Sequence, residues 1–231
     1  MSLSAAIDVG SNTIRLLIGN FQNNRIQHFL YQRRITRLAD GINRSRVLRA
    51  ERIEASLTVL QEFSSLIQSN GVKAVKAVAT SALREACNAG GFIEKVFTDT
   101  GISIQVISGE QEAELTLKGV LSSFPESTLT HNNSLLIIDI GGGSTEWILC
   151  RGEHPVAMGS IPIGVIKLQE NFIKTDPVSK EDISALNREI ISSIEILKKD
   201  IRNHINKETH LIGTAGTFST LASIDLHLEM Y

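Results

Sequence analysis

Two similar stretches of sequence determine the expected architecture. The first is AIDVGSNTIRLLI (residues 6–18), and the second is IIDIGGGSTEWIL (residues 137–149). In each, an apolar strand ends with Asp, one apolar residue and Gly, and a small polar turn leads into a second apolar strand. The aspartates, Asp8 and Asp139, lie 131 positions apart, a spacing too long for a solenoid repeat. The pattern therefore predicts one strand–turn–strand unit used once in each of two domains.

The composition of the two turns indicates anion binding. Glycine lets the backbone adopt positive φ and approach a ligand closely. Consecutive N–H groups in such a turn form a concavity that binds anions, and an Asp at the preceding strand end can hold Mg²⁺ through oxygen ligands. Neither turn is a Walker A loop, because no Lys follows the glycines. Neither is a Rossmann turn, because the G-x-G-x-x-G spacing is missing. Two such turns facing each other would hold a phosphate chain from both sides.

Composition narrows the class of protein. The chain has 231 residues, enough to bury a core without disulfides or structural metal. Its formal charge of −2 argues against a nucleic-acid-binding protein that relies on overall basicity. Two cysteines give neither a disulfide framework nor a metal-ligand spacing. The first residues lack a signal-peptide pattern, and no apolar run approaches the ~18 residues of a membrane span. We therefore expect a cytoplasmic protein with neither a nucleic-acid nor a membrane partner.

The order of apolar patterns indicates an α/β protein, because hairpin strands are followed by strands alternating with helices. We expect a helix over residues 81–97 that Gly90 and Gly91 could interrupt, and a long helix capped by Ser179 with Asp182 at the capping-box position. The polar stretch FPESTLTHNN (residues 124–133) predicts a boundary between a first domain, 1–125, and a second, 126–231.

Further segments carry a family resemblance: ATSALREA (residues 79–86), VISGEQEAELTLKGV (106–120) and GTAGTFSTLA (213–222). With the two Asp-x-Gly turns, their order and spacing resemble the exopolyphosphatase and guanosine-pentaphosphate phosphatase (Ppx/GppA) family of the actin, Hsp70 and sugar-kinase superfamily. The resemblance implies two actin-like (ribonuclease H-like) α/β lobes with a cleft between them. It also implies hydrolysis of a terminal phosphoanhydride in polyphosphate or guanosine pentaphosphate, with Mg²⁺ or another divalent cation as cofactor. A homodimer is a possible oligomeric state.

The resemblance also assigns residues. Glu112 matches the glutamate that positions and deprotonates the attacking water, and Arg84 matches an arginine expected to contact phosphate. Asp8, Asp139 and Glu146 match the metal positions. The phosphate-binding positions are Gly10, Ser11, Asn12, Arg15, Gly141, Gly142, Gly143, Ser144, Gly213, Gly216 and Thr217.

Each of these residues also has a purely structural explanation. An acidic residue near a helix start, such as Glu112, is favourable against the helix dipole, and Glu110 and Glu114 are close rivals. Asp8 and Asp139 could each serve only to hydrogen-bond the backbone of the turn that follows. Glu146 and Arg84 could be solvated surface residues. The GTAGT turn could be only a tight connection, and both cysteines are expected to be buried thiols.

The sequence leaves three functions open. One is a terminal phosphoanhydride hydrolase, the second a kinase or nucleotide-driven ATPase of the same fold, and the third a non-catalytic sensor of polyphosphate or guanosine pentaphosphate. Nothing in the residues decides between the two substrates. Because the family usually continues beyond the position where this sequence ends, the resemblance also implies a second lobe shortened at its C-terminus.

Overall fold

The computed structural model describes residues 2–22, 25–124 and 134–228. The chain divides into two units, Met1–Ser108 and Gly109–Tyr231. Each unit has its own sheet and its own apolar core.

The sheet of the first unit confirms the predicted hairpin. The strands are β1 (Ser4–Val9), β2 (Thr13–Gln22), β3 (Arg25–Ile35), β4 (Ala74–Ala79) and β5 (Ile104–Val106). Their order in the sheet is β3-β2-β1-β4-β5, with β1 antiparallel to β2 and parallel to β4.

The helices of the first unit cover one face of this sheet. In the helix over Ala50–Ser69, Leu60 and Phe63 are fully buried. They belong to the same core as Ile7, Val9 and Leu16 of the first hairpin. The helices are α1 (Ile42–Ser45), α2 (Ala50–Ser69), α3 (Ser81–Glu85) and α4 (Ala89–Thr100).

The break in the predicted helix 81–97 lies elsewhere than expected. Gly90 and Gly91 are inside α4, and the interruption falls at residues 86–88. There the Asn88 side chain accepts a hydrogen bond from the Leu48 N–H at 2.8 Å and donates one to the Leu48 carbonyl at 3.0 Å. The interruption also exposes Cys87, so the expectation of a buried thiol was wrong for this residue, whereas Cys150 is buried.

The second unit repeats the order of four of the five strands of the first. Its strands are β6 (Ser134–Ile140), β7 (Thr145–Arg151), β8 (His154–Ile161) and β9 (His210–Thr214). They are ordered β8-β7-β6-β9, with β6 antiparallel to β7 and parallel to β9. The helices are α5 (Gly109–Ser122), α6 (Val165–Phe172), α7 (Lys180–Ile201) and α8 (Ala215–Asp225).

Two separate apolar clusters give the second unit its layers. Ala113 and Leu117 of α5 pack with Ile137 and Ile148. Leu197 and Ile201 of α7 pack with Trp147 and Leu149, which are the sequence neighbours of Ile148 in β7. Because neighbouring residues of a strand point to opposite faces, α5 covers one face of the sheet and α7 the other.

The division between the units lies earlier in the chain than the predicted boundary at 125/126. The reason is α5, which contacts β7 and β8 and therefore belongs to the second unit. Of the polar stretch that suggested the boundary, residues 125–133 lie outside the described residues.

The start of α7 confirms the predicted cap. The Asp182 N–H donates to the Ser179 hydroxyl at 3.1 Å. The Asp182 carboxylate in turn accepts hydrogen bonds from the Lys174 N–H (2.9 Å), the Thr175 N–H (3.0 Å) and the Thr175 hydroxyl (2.8 Å). The segment between α6 and α7 is thereby fixed to the first turn of α7.

Across the described ranges, no helix combines the length and hydrophobicity needed to cross a bilayer.

Candidate functional site

The two predicted phosphate turns have the same internal hydrogen bond. In the first, the Gly10 N–H donates to the Thr13 carbonyl at 3.0 Å, and in the second the Gly141 N–H donates to the Ser144 carbonyl at 3.0 Å. The sequence repeat is therefore also a repeat of local geometry.

In the first turn, a later segment of the chain holds the carbonyl groups. The N–H groups of Thr36 and Arg37 both donate to the Asn12 carbonyl at 3.0 Å, and the Ala39 N–H donates to the Ser11 carbonyl at 2.9 Å. Within the described chain, the N–H groups of Ser11 and Asn12 donate to no backbone carbonyl. Successive N–H groups of this kind are the donors of an anion-binding nest.

The second turn is held in the same way by the start of α6. The Val165 N–H donates to the Gly141 carbonyl at 3.0 Å, and the Ile166 N–H to the Gly142 carbonyl at 2.9 Å. Gly164 makes this contact close, because a Cβ there would lie 2.5 Å from backbone atoms of Gly142 and Gly143. A side chain at position 164 would therefore displace the turn.

The first hairpin pairs its aspartate with an arginine. Asp8 lies directly opposite Arg15 across β1 and β2, and the Arg15 Nη1 donates to the Asp8 Oδ2 at 2.8 Å. Burial raises the pKa of the Asp8 carboxyl, and the positive charge and hydrogen bond of Arg15 partly offset that rise. The Asp8 carboxylate thus has a cationic partner within the protein.

The second hairpin pairs its aspartate with a glutamate. Asp139 lies directly opposite Glu146 across β6 and β7. Glu146 is only 1% exposed, which contradicts the alternative of a surface glutamate. Its Oε1 accepts a hydrogen bond from the Ser160 hydroxyl of β8 at 2.7 Å. Two carboxylates therefore share the face of the sheet that α5 covers.

Helix α5 connects Glu112 to this pair through Thr116. The Thr116 hydroxyl donates to the Asp139 Oδ2 at 3.4 Å, and Thr116 follows Glu112 by one helical turn on the same face. Glu112 is half-buried, whereas its rivals Glu110 and Glu114 are exposed. The packing of α5 therefore favours Glu112 among the three glutamates.

The first residue of α5 packs closely against β8. A Cβ on Gly109 would overlap the Ser160 side chain. Since Ser160 is the hydrogen-bond partner of Glu146, the beginning of the helix lies beside the buried carboxylate.

The donor set of the second hairpin fits Mg²⁺. In the ranges that the structure describes, no three His, Cys, Asp or Glu side chains come close enough to hold a metal ion by themselves. Mg²⁺, however, is usually bound by one or two carboxylates together with water and substrate phosphates. Asp139 and Glu146 supply such a pair, whereas Asp8 is engaged with Arg15.

Arg84 is anchored within the first unit. It lies in the last turn of α3, half-buried, and its Nη1 donates to the Ile107 carbonyl at 2.8 Å. This contact contradicts the alternative of a freely solvated arginine. The role of Arg84 in binding phosphate stays a prediction.

The GTAGT turn lies at the beginning of α8, beside the second hairpin. Its Thr217 hydroxyl donates to the Ile140 carbonyl at 3.4 Å. Ala215 has a left-handed φ of 66°, a strained conformation for a residue with a Cβ. Strain of this kind is concentrated at functional sites. Gly213 also has a packing role, because a Cβ there would overlap the Phe218 ring.

The structure thus places Asp8, Gly10, Ser11, Asn12, Arg15 and Arg84 in the first unit and the remaining predicted residues in the second. Sequence reasoning missed Thr116, Ser160, Gly109 and Gly164. Only the register of β7 against β8, where Glu146 faces Ser160, could have indicated one of them. The others depend on packing between elements distant in sequence.

Comparisons with known proteins identify the family of the chain. The family model described as the Ppx/GppA phosphatase family matches residues 17–229. A bifunctional 3-dehydroquinate synthase/phosphatase from Fusobacterium nucleatum is 32% identical over 99% of this chain, and the chain spans only 35% of that relative's length.

Solved structures extend the similarity to the fold. A Ppx/GppA family member from Aquifex aeolicus is 32% identical, with a TM-score of 0.75 over 100% of this chain and 71% of its own. An exopolyphosphatase from Cytophaga hutchinsonii is 30% identical, with a TM-score of 0.88 over 100% of this chain and 72% of its own. These similarities confirm the predicted actin-like, two-lobed α/β fold. Together with the repeated hairpins, they establish that the chain belongs to the Ppx/GppA phosphatase family.

Proposed function

We propose that the chain hydrolyses the terminal phosphoanhydride of linear polyphosphate or guanosine pentaphosphate and releases orthophosphate. The observation that carries the proposal is the arrangement on one face of the second sheet. Asp139 and Glu146 face each other across two strands, and Thr116 of α5 bonds Asp139 one turn after Glu112. Members of the family are phosphoanhydride hydrolases, and the Cytophaga relative is named an exopolyphosphatase.

Glu112 is the proposed general base. A carboxylate in this role holds the attacking water in line with the bond that breaks and accepts its proton. The half-buried position of Glu112 supports this role, because partial removal from solvent makes its orientation better defined than that of exposed Glu110 or Glu114.

The two turns are the proposed phosphate cradles. Their N–H groups at Ser11, Asn12, Gly142 and Gly143 would donate to non-bridging phosphate oxygens. Arg15, Arg84 and the start of α8 at Gly216 and Thr217 would add further donors. Catalysis would then consist mainly of positioning and of electrostatic stabilisation of the transferred group.

Asp139 and Glu146 are the proposed protein ligands of Mg²⁺. When bound, the cation would supply positive charge that neutralises the phosphate oxygens and the two facing carboxylates. Asp8 belongs to the proposal in a lesser role, since its ion pair with Arg15 already neutralises it. A cytoplasmic location and a homodimer stay predictions.

The variant Glu112→Gln tests the proposal. Without the base, we expect phosphate release to fall by about 100- to 10,000-fold, because general-base catalysis contributes that much. Binding of polyphosphate, measured by calorimetry, should change little. Glu114→Gln is the matched control, with an exposed glutamate on the same helix, and it should keep wild-type turnover. Unchanged turnover in Glu112→Gln would remove Glu112 from the mechanism.

A side-by-side assay of phosphate release from polyphosphate and from guanosine pentaphosphate would identify the preferred substrate. Production of ATP from polyphosphate and ADP would instead favour the kinase alternative. Tight binding without release under excess Mg²⁺ would favour the sensor.

A further inference from the structure

A strained arginine lies against the first phosphate turn. Arg37 follows β3 and has a left-handed φ of 52°. This conformation is uncommon for a residue with a Cβ and costs roughly 1–2 kcal/mol that glycine would avoid. The Arg37 side chain is exposed, so burial of the side chain does not explain why an arginine occupies this position.

The strained backbone is fixed to the turn itself. The Arg37 N–H donates to the Asn12 carbonyl at 3.0 Å, and the neighbouring Ala39 N–H donates to the Ser11 carbonyl at 2.9 Å. The Arg37 carbonyl also accepts a hydrogen bond from the Asp40 N–H at 3.0 Å. These bonds hold the backbone of Arg37 beside the residues whose own N–H groups form the proposed cradle.

Two other arginines close to Arg37 in the sequence have ion-pair partners. Arg34 pairs with Glu62, and Arg52 pairs with Asp40 at 2.7 Å. Among the described residues, no ion pair involves the Arg37 side chain. Its positive charge is therefore available to a ligand.

The sheet next to Arg37 also carries positively charged side chains on one face. Arg33 lies directly opposite Arg15 across β2 and β3, on the face that also carries Asp8. Like charges directly opposite each other destabilise a sheet. This face of the first sheet therefore carries two facing arginines beside Asp8.

We propose that Arg37 is a phosphate-binding residue, whose guanidinium donates to the non-bridging oxygens of a further phosphate group of the same anion that the first turn holds. The ligand class is a linear phosphoanhydride chain. The inference rests on the proposed function, because the first turn must itself bind phosphate. Left-handed backbone at Arg37 would be the structural consequence of presenting a guanidinium next to the cradle.

The test compares Arg37→Gly with Arg46→Gly. Both arginines are exposed, and their φ values are 52° and 53°, so glycine relieves the same strain in each. We expect Arg37→Gly to raise the KM for linear polyphosphate about tenfold or more, with a much smaller change in kcat, because hydrogen bonds to charged groups are lost. Arg46→Gly should keep the wild-type KM. Arg37→Lys, which keeps a charge but not the planar fork, should have an intermediate KM.

Two readouts separate this proposal from folding effects and from the proposed function. Melting temperatures of Arg37→Gly at or above the wild-type value would exclude unfolding as the cause. Calorimetric titration of polyphosphate into wild type and Arg37→Gly, without Mg²⁺, measures binding whether or not turnover occurs. Weaker binding by Arg37→Gly alone supports the proposal even if the wild type releases no phosphate. Equal binding by the two proteins, or an equal loss in Arg46→Gly, overturns it.

Discussion

The two strand–turn–strand hairpins have the same backbone geometry, but the side chain opposite the aspartate has a different charge in each. Asp8 faces Arg15, whereas Asp139 faces Glu146. The first carboxylate has an ion pair at 2.8 Å, so its charge is balanced inside the protein. The second has a buried carboxylate directly across from it, so two negatively charged side chains face each other on one side of the sheet. The same turn is thus flanked by a carboxylate–arginine pair in one unit and by a pair of facing carboxylates, the proposed cation site, in the other.

The second arrangement is unfavourable for stability and is therefore informative about function. Facing like charges destabilise a sheet by roughly 0.2–1 kcal/mol, and a buried carboxylate adds a desolvation penalty. Ser160 offsets part of that penalty by donating to Glu146. Such a pair of facing carboxylates supports the proposed Mg²⁺ site.

Among changes to the two hairpins, the largest expected effect comes from removing the charge of Glu146. Glu146→Gln keeps the shape of the side chain but leaves Asp139 as the remaining carboxylate of the pair. We expect phosphate release under saturating Mg²⁺ to fall by about 100-fold or more, because metal-ion stabilisation of phosphoryl transfer is worth several kcal/mol.

Stability without metal should move in the opposite direction in the same variant. We expect Glu146→Gln to unfold at an equal or higher urea concentration than the wild type when Mg²⁺ is removed, since the like-charge contact is gone. Added Mg²⁺ should raise the melting temperature of the wild type and not that of the variant. A wild-type response to Mg²⁺ in the variant would place the cation elsewhere.

A second experiment displaces the cradle and keeps its charges. In Gly164→Ala, the new Cβ would lie 2.5 Å from backbone atoms of Gly142 and Gly143, so the second turn must shift. We expect turnover to fall by about 10- to 100-fold, because small displacements of positioning groups have effects of that size.

Gly90→Ala is the control for this change. Its Cβ would meet no atom within 4 Å, and the residue lies inside α4. We expect wild-type turnover and a gain in unfolding free energy of up to about 1 kcal/mol, the difference in helix propensity. Turnover of Gly164→Ala equal to that of this control would show that the second turn does not need its present position.

The smallest expected effect comes from the first hairpin, in which Arg15 pairs with Asp8. Arg15→Gln removes the partner of Asp8, so the pKa of that carboxyl, already raised by burial, should rise further. We expect the free energy of unfolding at neutral pH to fall by about 1 kcal/mol or less, the usual value for a partly exposed ion pair.

The pH dependence of this loss identifies its cause. A carboxyl whose folded-state pKa is raised opposes folding once the pH exceeds its ordinary value. The difference between Arg15→Gln and the wild type should therefore shrink as the pH falls through the raised pKa of the Asp8 carboxyl. A difference that is independent of pH in urea titrations would contradict the electrostatic explanation.

Local patterns were sufficient to predict the hairpins, the long helices and the cap at Ser179, because each depends on residues close in sequence. The repeated turns were also sufficient to predict where the candidate site lies, since each turn is a continuous run of residues. The burial of Glu146 was not predictable, since it depends on α5 and on Ser160 in another strand. The interruption at Asn88 depends on Leu48, and no glycine or asparagine marks the left-handed backbone at Arg37.

The cluster of hydrogen bonds on Asp182 makes the second unit sensitive to acid. The backbone N–H of Lys174 and the hydroxyl of Thr175 are the main donors that hold the pKa of this carboxyl below its usual range. The stability that they supply is present above the unfolded-state pKa and is lost as the pH falls through the folded-state value.

Asp8 in the first unit has the opposite shift, so protonation relieves it instead. Acid should therefore weaken the connection between α6 and α7, and with it the support that Ile166 gives to the second turn, while the first hairpin gains stability. Amide exchange followed through decreasing pH would find the glycine-rich turn of the second unit opening first.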